Sequence, residues 1–569
     1  MLEMVDITSK QALVRDYPEL SLLVVAPAGC GKTETLALRV KGLLSRQIIK
    51  APQRILVTTF TNRARDNMRD RLSRYLTPRQ MREAVTVCNF HGLSARIIQA
   101  HGNVIGLDSP SWTMPQSDWV AQQCRTQNLK YLVAADVQSK ISSAKRRKAT
   151  DEEVLAEIER SGDEYALRIE QQRQSEKRLT YDDLPRLAEL ILANDEVASL
   201  YQHHFGAIIV DEFQDLTPQQ LQIVQRIGYG KTTYAGDLAQ GIFSFAGAEP
   251  EFVKRQLEAE CSHTIEFAES FRSSPAVLKA VNSLSNLTDG QTLTTANPSS
   301  WPSGGFAGCL HFTDTKEEAR YITQICAGIL SQERAPQQRI GIAARTKFRR
   351  RFVDDAIERS GLQYSLWDEG VLDSSIAQKI RIMLSQITLE DFRNADNPRE
   401  LLRQLACLAD EQDPDERTGH SNAIDWCFDL LQTGITPDQV KKRIQVGDAD
   451  SLITRGGVHL LTGHAGKGQQ FDWMVVVGLE EDNLPIYHAV KANSAPALAE
   501  EARTLAVMLS RARHGVLVTS SGVVPDAYDP RRQKRKSRFL DNIAPVMMSD
   551  NSQIREWLTS VDWQAIAAK

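Results

Sequence analysis

Ala26-Pro-Ala-Gly-Cys-Gly-Lys-Thr33 follows the short apolar run Leu22–Val25 and leads into a helical pattern over Glu34–Leu44. Strand, small-residue loop, Lys-Thr and helix together make a P-loop arrangement. A loop that turns successive backbone N–H groups toward a phosphate leaves no room for large side chains, so its residues must be small. The helix start that follows adds a dipole favourable to an anion. Ala28, Gly29, Cys30 and Gly31 then form the cradle, with Glu34 and Arg39 as further candidate nucleotide-binding residues on the helix. Lys32 can neutralise β- and γ-phosphates, and Thr33 can ligate Mg²⁺. The first small residue is Ala26, where this pattern usually has Gly.

The second half of such a site is Asp211-Glu-Phe-Gln-Asp215, directly after Ala207-Ile-Ile-Val210. A short apolar run ending in two carboxylates reads as a buried strand with acids at its C-terminal edge, where α/β folds bind ligands. Asp211 would hold Mg²⁺ and Glu212 would polarise an attacking water. An Asp-Glu pair by itself is most often a solvated turn. The preceding strand and the upstream P-loop make it catalytic here.

The 569 residues suggest three or four domains. Basic residues number 68 and acidic residues 72, so any nucleic-acid surface must be local rather than a property of the whole chain. The eight cysteines show no close pair of metal-ligand spacing, and Cys30 lies in the phosphate loop. That usage fits free thiols in a reducing cytoplasm, not a disulfide framework or an iron–sulfur site. The N-terminus lacks a secretory signal pattern and no apolar run is long enough to span a bilayer, so a cytoplasmic protein without membrane partners is expected.

Short apolar strands alternate with helical stretches, the pattern of parallel α/β layers. One set is Leu22–Val25, Ile55–Thr59, Val85–Cys88, Ala207–Val210 and Thr232–Ala235. A second is Ile340–Ala344, Val458–Thr462, Trp473–Val477 and Gly515–Thr519. The fold class is therefore α/β, with two doubly wound parallel-sheet domains. Each set is interrupted by a helix-rich, strand-poor stretch, Leu107–Leu179 and Ser374–Asp450. Ser285–Gly305, rich in Ser, Thr, Asn, Pro and Gly, reads as a connecting loop.

Further motifs occur in a fixed order, and together they resemble the UvrD/Rep-like group of superfamily 1 DNA helicases over most of the chain. Gln11 resembles the glutamine that reads the adenine edge, a task suited to an amide that both donates and accepts. Ile55-Leu-Val-Thr-Thr-Phe-Thr-Asn-Arg-Ala-Arg65 resembles a strand leading into a single-strand-binding loop. There Phe60 would stack on a base, Thr61 and Asn62 would hold the backbone, and Arg63 stands where Lys is usual. Asn89-Phe-His91-Gly92 resembles a Thr-Phe-His motif in which His91 touches DNA. In Tyr234–Ala248, Gln240 would sense the γ-phosphate and Phe245 stands where a base-stacking Trp is usual. Ala246 replaces the Arg that normally follows, removing a link between nucleotide and DNA. Ser270-Phe-Arg-Ser-Ser274 would place Phe271 over the adenine and Arg272 at the γ-phosphate.

Thr462-Gly-His464-Ala-Gly-Lys-Gly-Gln-Gln470-Phe resembles the family's Thr-x-His-x-x-Lys-Gly-Leu-Glu-Phe. Thr462 and His464 would contact DNA, and Gln470 replaces the Glu expected at the ribose. This Gly-rich stretch lacks the Lys-Ser/Thr ending of a second phosphate loop. Glu500–Arg513 resembles the last motif, with Arg511 as an arginine finger and Arg513 the lesser candidate.

The resemblance implies ATP and Mg²⁺ as cofactors and RecA-like motor domains. The first would comprise 1–106 and 180–284, with a helical insertion at 107–179. The second would comprise 285–373 and 451–545, with a reduced helical insertion at 374–450 and a C-terminal helix or tail at 546–569. Lys32, Thr33, Asp211, Glu212 and Gln240 are assigned to the first domain and Arg511 to the second, with Arg272 near their junction. ATP would then favour closure and hydrolysis would release it, giving movement along single-stranded or 3′-tailed DNA, 3′→5′ by resemblance. The short second insertion resembles reduced UvrD-like proteins of anti-phage systems such as Gabija, which implies a partner nuclease or other subunit.

Three functions stay open: an autonomous helicase, a DNA-dependent ATPase or translocase subunit, and a nucleotide-gated binding module that controls a partner enzyme. Two basic runs remain outside the motifs. Lys145-Arg-Arg-Lys148 is a candidate phosphate-backbone contact. Arg531-Arg-Gln-Lys-Arg-Lys536 reads as a flexible loop.

Overall fold

The structure, a computed structural model, describes residues 7–115, 119–127, 129–244, 247–332, 337–367, 371–372, 374–408, 414–446, 455–464, 467–526 and 528–568. They divide into two compact units. The first holds Met1–Ala26, Gly31–Asp237 and Phe243–Phe267; the second holds Pro27–Cys30, Leu238–Ile242 and Ala268–Lys569.

The apolar runs of the first unit become a parallel six-stranded sheet. Its strands are β1 (Leu22–Val25), β2 (Arg54–Thr59), β3 (Val85–Asn89), β4 (Phe205–Asp211), β5 (Thr232–Gly236) and β6 (Thr264–Glu266), in the order β3-β2-β4-β5-β1-β6. Every residue of β4 and β5 is buried. Strands covered on both faces read as continuous apolar runs, which is why they stand out in the sequence. The sequence does not announce β6, because Thr264 and Glu266 are exposed and only Ile265 is buried. Ala235 pairs with Val24 on one side and Asp211 on the other. The ends of β1 and β4 are therefore two strand spacings apart, roughly 10 Å.

Helices Trp119–Thr126, Tyr131–Lys145, Asp151–Arg160 and Glu164–Ser175 share a core that includes Val137, Ile141, Val154, Ile158 and Ile169. At its base Lys145 is fully buried. Its ammonium meets Glu170 at 2.9 Å and Asp183 at 3.0 Å. Arg173 pairs with Glu170 at 2.6 Å, and Arg186 with Asp183 at 2.8 Å and Asp151 at 2.5 Å. Burial alone would raise the Asp183 carboxyl, but Lys145, Arg173 and Arg186 hold it well below the usual carboxylate range. Lys145 is thus withdrawn from the basic run proposed to meet phosphates, because two acids inside the unit, Glu170 and Asp183, claim it. Arg146, Arg147 and Lys148 stay exposed.

The second unit opens with β7 (Glu269–Ser270), which pairs with β8 (Thr294–Thr295). Its main sheet contains β9 (Phe306–Asp314), β10 (Arg339–Ala344) and β11 (Tyr364–Leu366). After the short pair β12 (Val371–Leu372) and β13 (Gln445–Val446) come β14 (Gly457–Thr462), β15 (Phe471–Val477) and β16 (Ala512–Val523). The order is β11-β14-β10-β15-β16-β9, all parallel. Sequence reading misses β9, whose apolar pattern is broken by Gly308 and His311, and β11, which is only three residues long.

Residues 268–284 also differ from expectation, packing in the second unit rather than the first. Val277, Ala280 and Leu284 are buried there with Leu461, Phe471, Val516 and Val518. Ser285–Gly305 is not a plain loop, since it carries the helix Ser285–Thr288 and β8. Helices Ser374–Ser385, Leu389–Asn394, Pro398–Leu405, Pro414–Gln432 and Pro437–Arg443 gather around Ile380, Met383, Leu402, Ile424 and Cys427. Among the described residues no helix is long and apolar enough to cross a membrane.

Removing one member of a buried charge network leaves its partners uncompensated. Lys145→Met should cost the first unit about 3–5 kcal/mol, seen as an earlier urea transition. Arg147→Met, at an exposed pair with Glu157, should leave the transition in place.

Candidate active site

In the first unit Gly31 (φ 78°) caps the helix Lys32–Ser45, so Lys32, Thr33 and Glu34 form its first turn. The Lys32 ammonium lies 3.2 Å from the Asp211 carboxylate and is also paired with Glu212. Burial works against that ammonium, but Asp211 and then Glu212 outweigh it and hold Lys32 above the usual lysine range. Burial raises Asp211 above the usual carboxylate range despite Lys32. Glu212 takes the left-handed conformation (φ 58°, ψ 51°) directly after β4. For a non-glycine residue this costs of order 1–3 kcal/mol and marks positions held for function. Its backbone N–H donates to Asp211 at 2.9 Å, and the Gln214 amide donates to its carboxylate at 2.6 Å. The Gln214 carbonyl in turn accepts the Asp237 N–H at 3.0 Å.

Asp211 and the Thr33 hydroxyl supply hard oxygen donors beside a net negative charge, the chemistry Mg²⁺ takes. Among the described residues no group of three or more His, Cys, Asp or Glu could hold a metal ion. Mg²⁺ characteristically uses one or two carboxylates together with substrate phosphates.

Ala26 is fully buried and its N–H donates to Gly236 at 2.9 Å, so the methyl group at this departure is absorbed by the core. Gln11 is buried beside Gly31, where an added Cβ would lie 3.0 Å from its amide nitrogen. The Gln11 carbonyl closes a capping box by accepting the Thr8 N–H at 3.0 Å.

Two candidates are corrected. Arg39 is fully buried, and its guanidinium donates to the carbonyls of Val14, Tyr17 and Glu19, pinning the chain ahead of β1. It is a strut, not a nucleotide ligand. Glu34 is committed to Arg71 at 2.8 Å and to the Tyr75 hydroxyl, so it ties two helices of the unit.

In the second unit Gly29 (φ 85°) accepts the Phe271 N–H at 2.9 Å, beside Ala28 and Cys30. A Cβ on Gly29 would lie 2.6 Å from the Ser270 hydroxyl and 2.7 Å from Arg272 Cβ. Phe271 is 51% exposed, an open ring face. Gln240 also packs in this unit, not the first as expected, because Arg511 and Lys467 hold it. The Arg511 guanidinium donates to the Gln240 side-chain oxygen at 3.1 Å, and Lys467 donates to its backbone carbonyl at 2.7 Å. Arg511 is otherwise buried and braced by the Val507 carbonyl at 3.0 Å. Arg513 approaches Asp472 at 3.5 Å, alongside Arg339. Gln470 is half-buried just before β15.

Among the nucleic-acid candidates, Phe60 stacks on Phe243 with ring centroids 5.4 Å apart. Thr61 is the N-cap of the helix Asn62–Ser73, accepting the Ala64 N–H at 3.1 Å. The side chains of Asn62 and Arg63, and Phe245 and Ala246 entirely, lie outside the described residues. Asn89, in place of Thr, caps the next helix by accepting the Gly92 N–H at 2.7 Å. His91 meets the Tyr181 ring edge-on at 5.6 Å, and burial lowers its pKa. Thr462 ends β14. His464 is pushed down to about 4, by burial and then by Arg345.

Residues 7–259 match the family model of the UvrD/REP helicase N-terminal domain, and residues 374–521 match that of the UvrD-like helicase C-terminal domain. The chain belongs to the UvrD/Rep-like helicases of superfamily 1A. ATP-dependent DNA helicase UvrD2 of Mycobacterium tuberculosis is 26% identical over 576 residues, covering 94% of this chain and 81% of that protein. UvrD1 of the same organism is 22% identical over 694 aligned positions, covering 98% and 86%. DNA helicase II of Salmonella typhimurium is 26% identical over 428 residues, covering 68% and 55%.

Sequence reasoning missed Gln214 in the first unit, which links Glu212 to Asp237, and, in the second, the Arg345–Glu501 pair at 2.8 Å. Gln214 and Glu501 lie inside motif stretches, but a single sequence carries no sign of what they touch. Gly29→Ala should weaken binding of a fluorescent ATP analogue at least tenfold, because the new Cβ meets Ser270 and Arg272. Gly162→Ala, at a similar φ of 72° in open space, should pay only about 1–2 kcal/mol of backbone strain and leave that binding unchanged.

Proposed function

We propose that the chain is an ATP-dependent DNA helicase or translocase that moves 3′→5′ along single-stranded DNA. The observation that carries this reading is the buried ion cluster of Lys32 with Asp211 and Glu212 at the C-terminal ends of β1 and β4. A lysine on a helix start neutralises β- and γ-phosphates, and Thr33 and Asp211 would hold Mg²⁺. Mg²⁺ held there would supply neutralisation of the phosphate charge. Glu212, fixed by its backbone and by Gln214, orients the attacking water and takes its proton. Phe271 covers the adenine, Gln11 meets its edge through the amide nitrogen, and Gln470 hydrogen-bonds the ribose. Arg272 and Arg511 stabilise charge on the transferring phosphoryl group, and the Gln240–Arg511 bond couples that arginine to phosphate sensing. Phe60, Thr61, Asn62, Arg63, His91, Phe245, Thr462 and His464 hold the single strand, whose contacts alternate with the nucleotide cycle.

A second reading is an ATPase subunit that senses DNA or nucleotide and regulates a partner nuclease in a defence or repair complex. The small size of the 374–450 insertion favours it, since its described helices share a single compact core.

Single-stranded DNA should stimulate ATP hydrolysis by the purified chain. Lys32→Ala should abolish it. Glu212→Gln should keep ATP binding while kcat falls by about 10²–10⁴. Arg511→Ala should lower kcat by about 10³–10⁵ with little change in KM. Hydrolysis indifferent to DNA and to all three substitutions would sink both readings.

A further inference from the structure

In the sheet of the first unit β3 is an edge strand. A cavity of about 680 Å³ lies along it, walled by residues of the helices Asn62–Ser73, Pro78–Ala84 and Phe90–His101. That volume is in the range of ligand pockets. Arg54 opens β2, Val85 opens β3, and both line the cavity. It therefore sits toward the N-terminal ends of the parallel strands, away from the edge at which Asp211 ends β4.

The walls combine two chemistries. Leu76, Met81, Val85 and Val87 supply aliphatic surface. Arg54, Arg69, Arg82 and Arg96 stand around them, against a single acid, Asp70. Four cations to one anion is a strong local excess in a chain with 68 basic and 72 acidic residues. Part of that charge is spent on the fold. The Arg54 guanidinium donates to the carbonyls of Arg82 at 2.8 Å, Glu83 at 2.9 Å and Val85 at 2.6 Å, and to the Thr86 hydroxyl at 2.9 Å. Arg69 donates to the Val87 carbonyl at 3.1 Å and lies 3.7 Å from Asp66. Arg82 and Arg96 are exposed, and neither has an ion partner among the described residues.

These contacts narrow what can bind. An edge strand recruits another strand through its open backbone groups. Here guanidinium groups already hold the carbonyls of Val85 and Val87, so an occupant must dock by its side chains. The described lining residues include no aromatic ring on which a base could stack. Aliphatic walls inside a ring of guanidinium groups suit an aliphatic side chain flanked by carboxylates, which a guanidinium grips with two parallel hydrogen bonds. Arg74 and Arg79, next in sequence to the lining residues Ser73 and Pro78, are exposed as well. The positive surface thus continues past the cavity, which matches an extended acidic chain better than a compact anion.

We infer that this cavity docks an acidic segment of a partner protein, with an aliphatic side chain against Leu76 and Met81 and carboxylates on Arg82 and Arg96. Arginine clusters that read acidic motifs are a recurring mode of peptide recognition. The inference does not depend on the proposed DNA activity.

It is tested by fluorescence anisotropy with the full chain and a short labelled peptide in which leucines alternate with aspartates and glutamates. The peptide should bind, and replacing its leucines by alanine should weaken binding about tenfold. Arg82→Ala/Arg96→Ala should weaken it about tenfold or more. Arg82→Lys/Arg96→Lys keeps the charge without the fork and should weaken it less. Arg160→Ala, on an exposed helix outside the cavity, should leave it unchanged. ATP hydrolysis without DNA should be the same in every variant, which reports that each is folded. No binding of the leucine peptide, equal binding of the alanine peptide, or binding indifferent to the Arg82 and Arg96 substitutions would each overturn the inference. So would alanine variants that lose labelled oligothymidylate or duplex while the parent never binds the peptide, since the cavity would then be a nucleic-acid contact.

Discussion

The ammonium of Lys32 sits between two carboxylates, Asp211 and Glu212, and the first unit is arranged around that placement. A buried ion left unpaired costs several kcal/mol, so the helix start and the end of β4 must meet accurately. The parallel sheet makes that possible, because parallel strands deliver their C-terminal ends to one edge. Ala235 of β5 registers β1 against β4, and Arg39 braces the chain leading into β1. Gln214 then holds Glu212 in a backbone conformation that an unsupported glutamate would avoid. Unpaired carboxylates repel phosphate, whereas this ion cluster offers a cation for phosphate and oxygens for Mg²⁺.

The second unit fixes its buried cations in the same way. Arg511 is buried and held by the Val507 carbonyl and the Gln240 side chain. Arg513 approaches Asp472. Glu501 claims Arg345, and that pair helps hold the unit together.

Much of this was legible in the residues. Buried parallel strands are continuous apolar runs, so β1 to β5 and β10, β14, β15 and β16 announce themselves, while β6, β9 and β11, short or interrupted, do not. The phosphate loop and the Asp-Glu pair carry their chemistry in residue type and order, which a sequence displays. Commitments between distant residues are what it hides. Arg39 and Glu34 look available beside the loop until Tyr17, Val14, Arg71 and Tyr75 are seen to claim them. Lys145 looks like part of a basic surface until Glu170 and Asp183 close over it. Arg531–Lys536 looks formless until its alternate residues find Asp526 and Asp482.

The most direct test of the central claim is strand separation of a 3′-tailed duplex by the purified chain, with a 5′-tailed duplex beside it and ATP hydrolysis followed in the same tube. The account predicts ATP-dependent separation of the 3′-tailed substrate alone. Separation of the 5′-tailed substrate instead, or separation that proceeds without ATP, would contradict it.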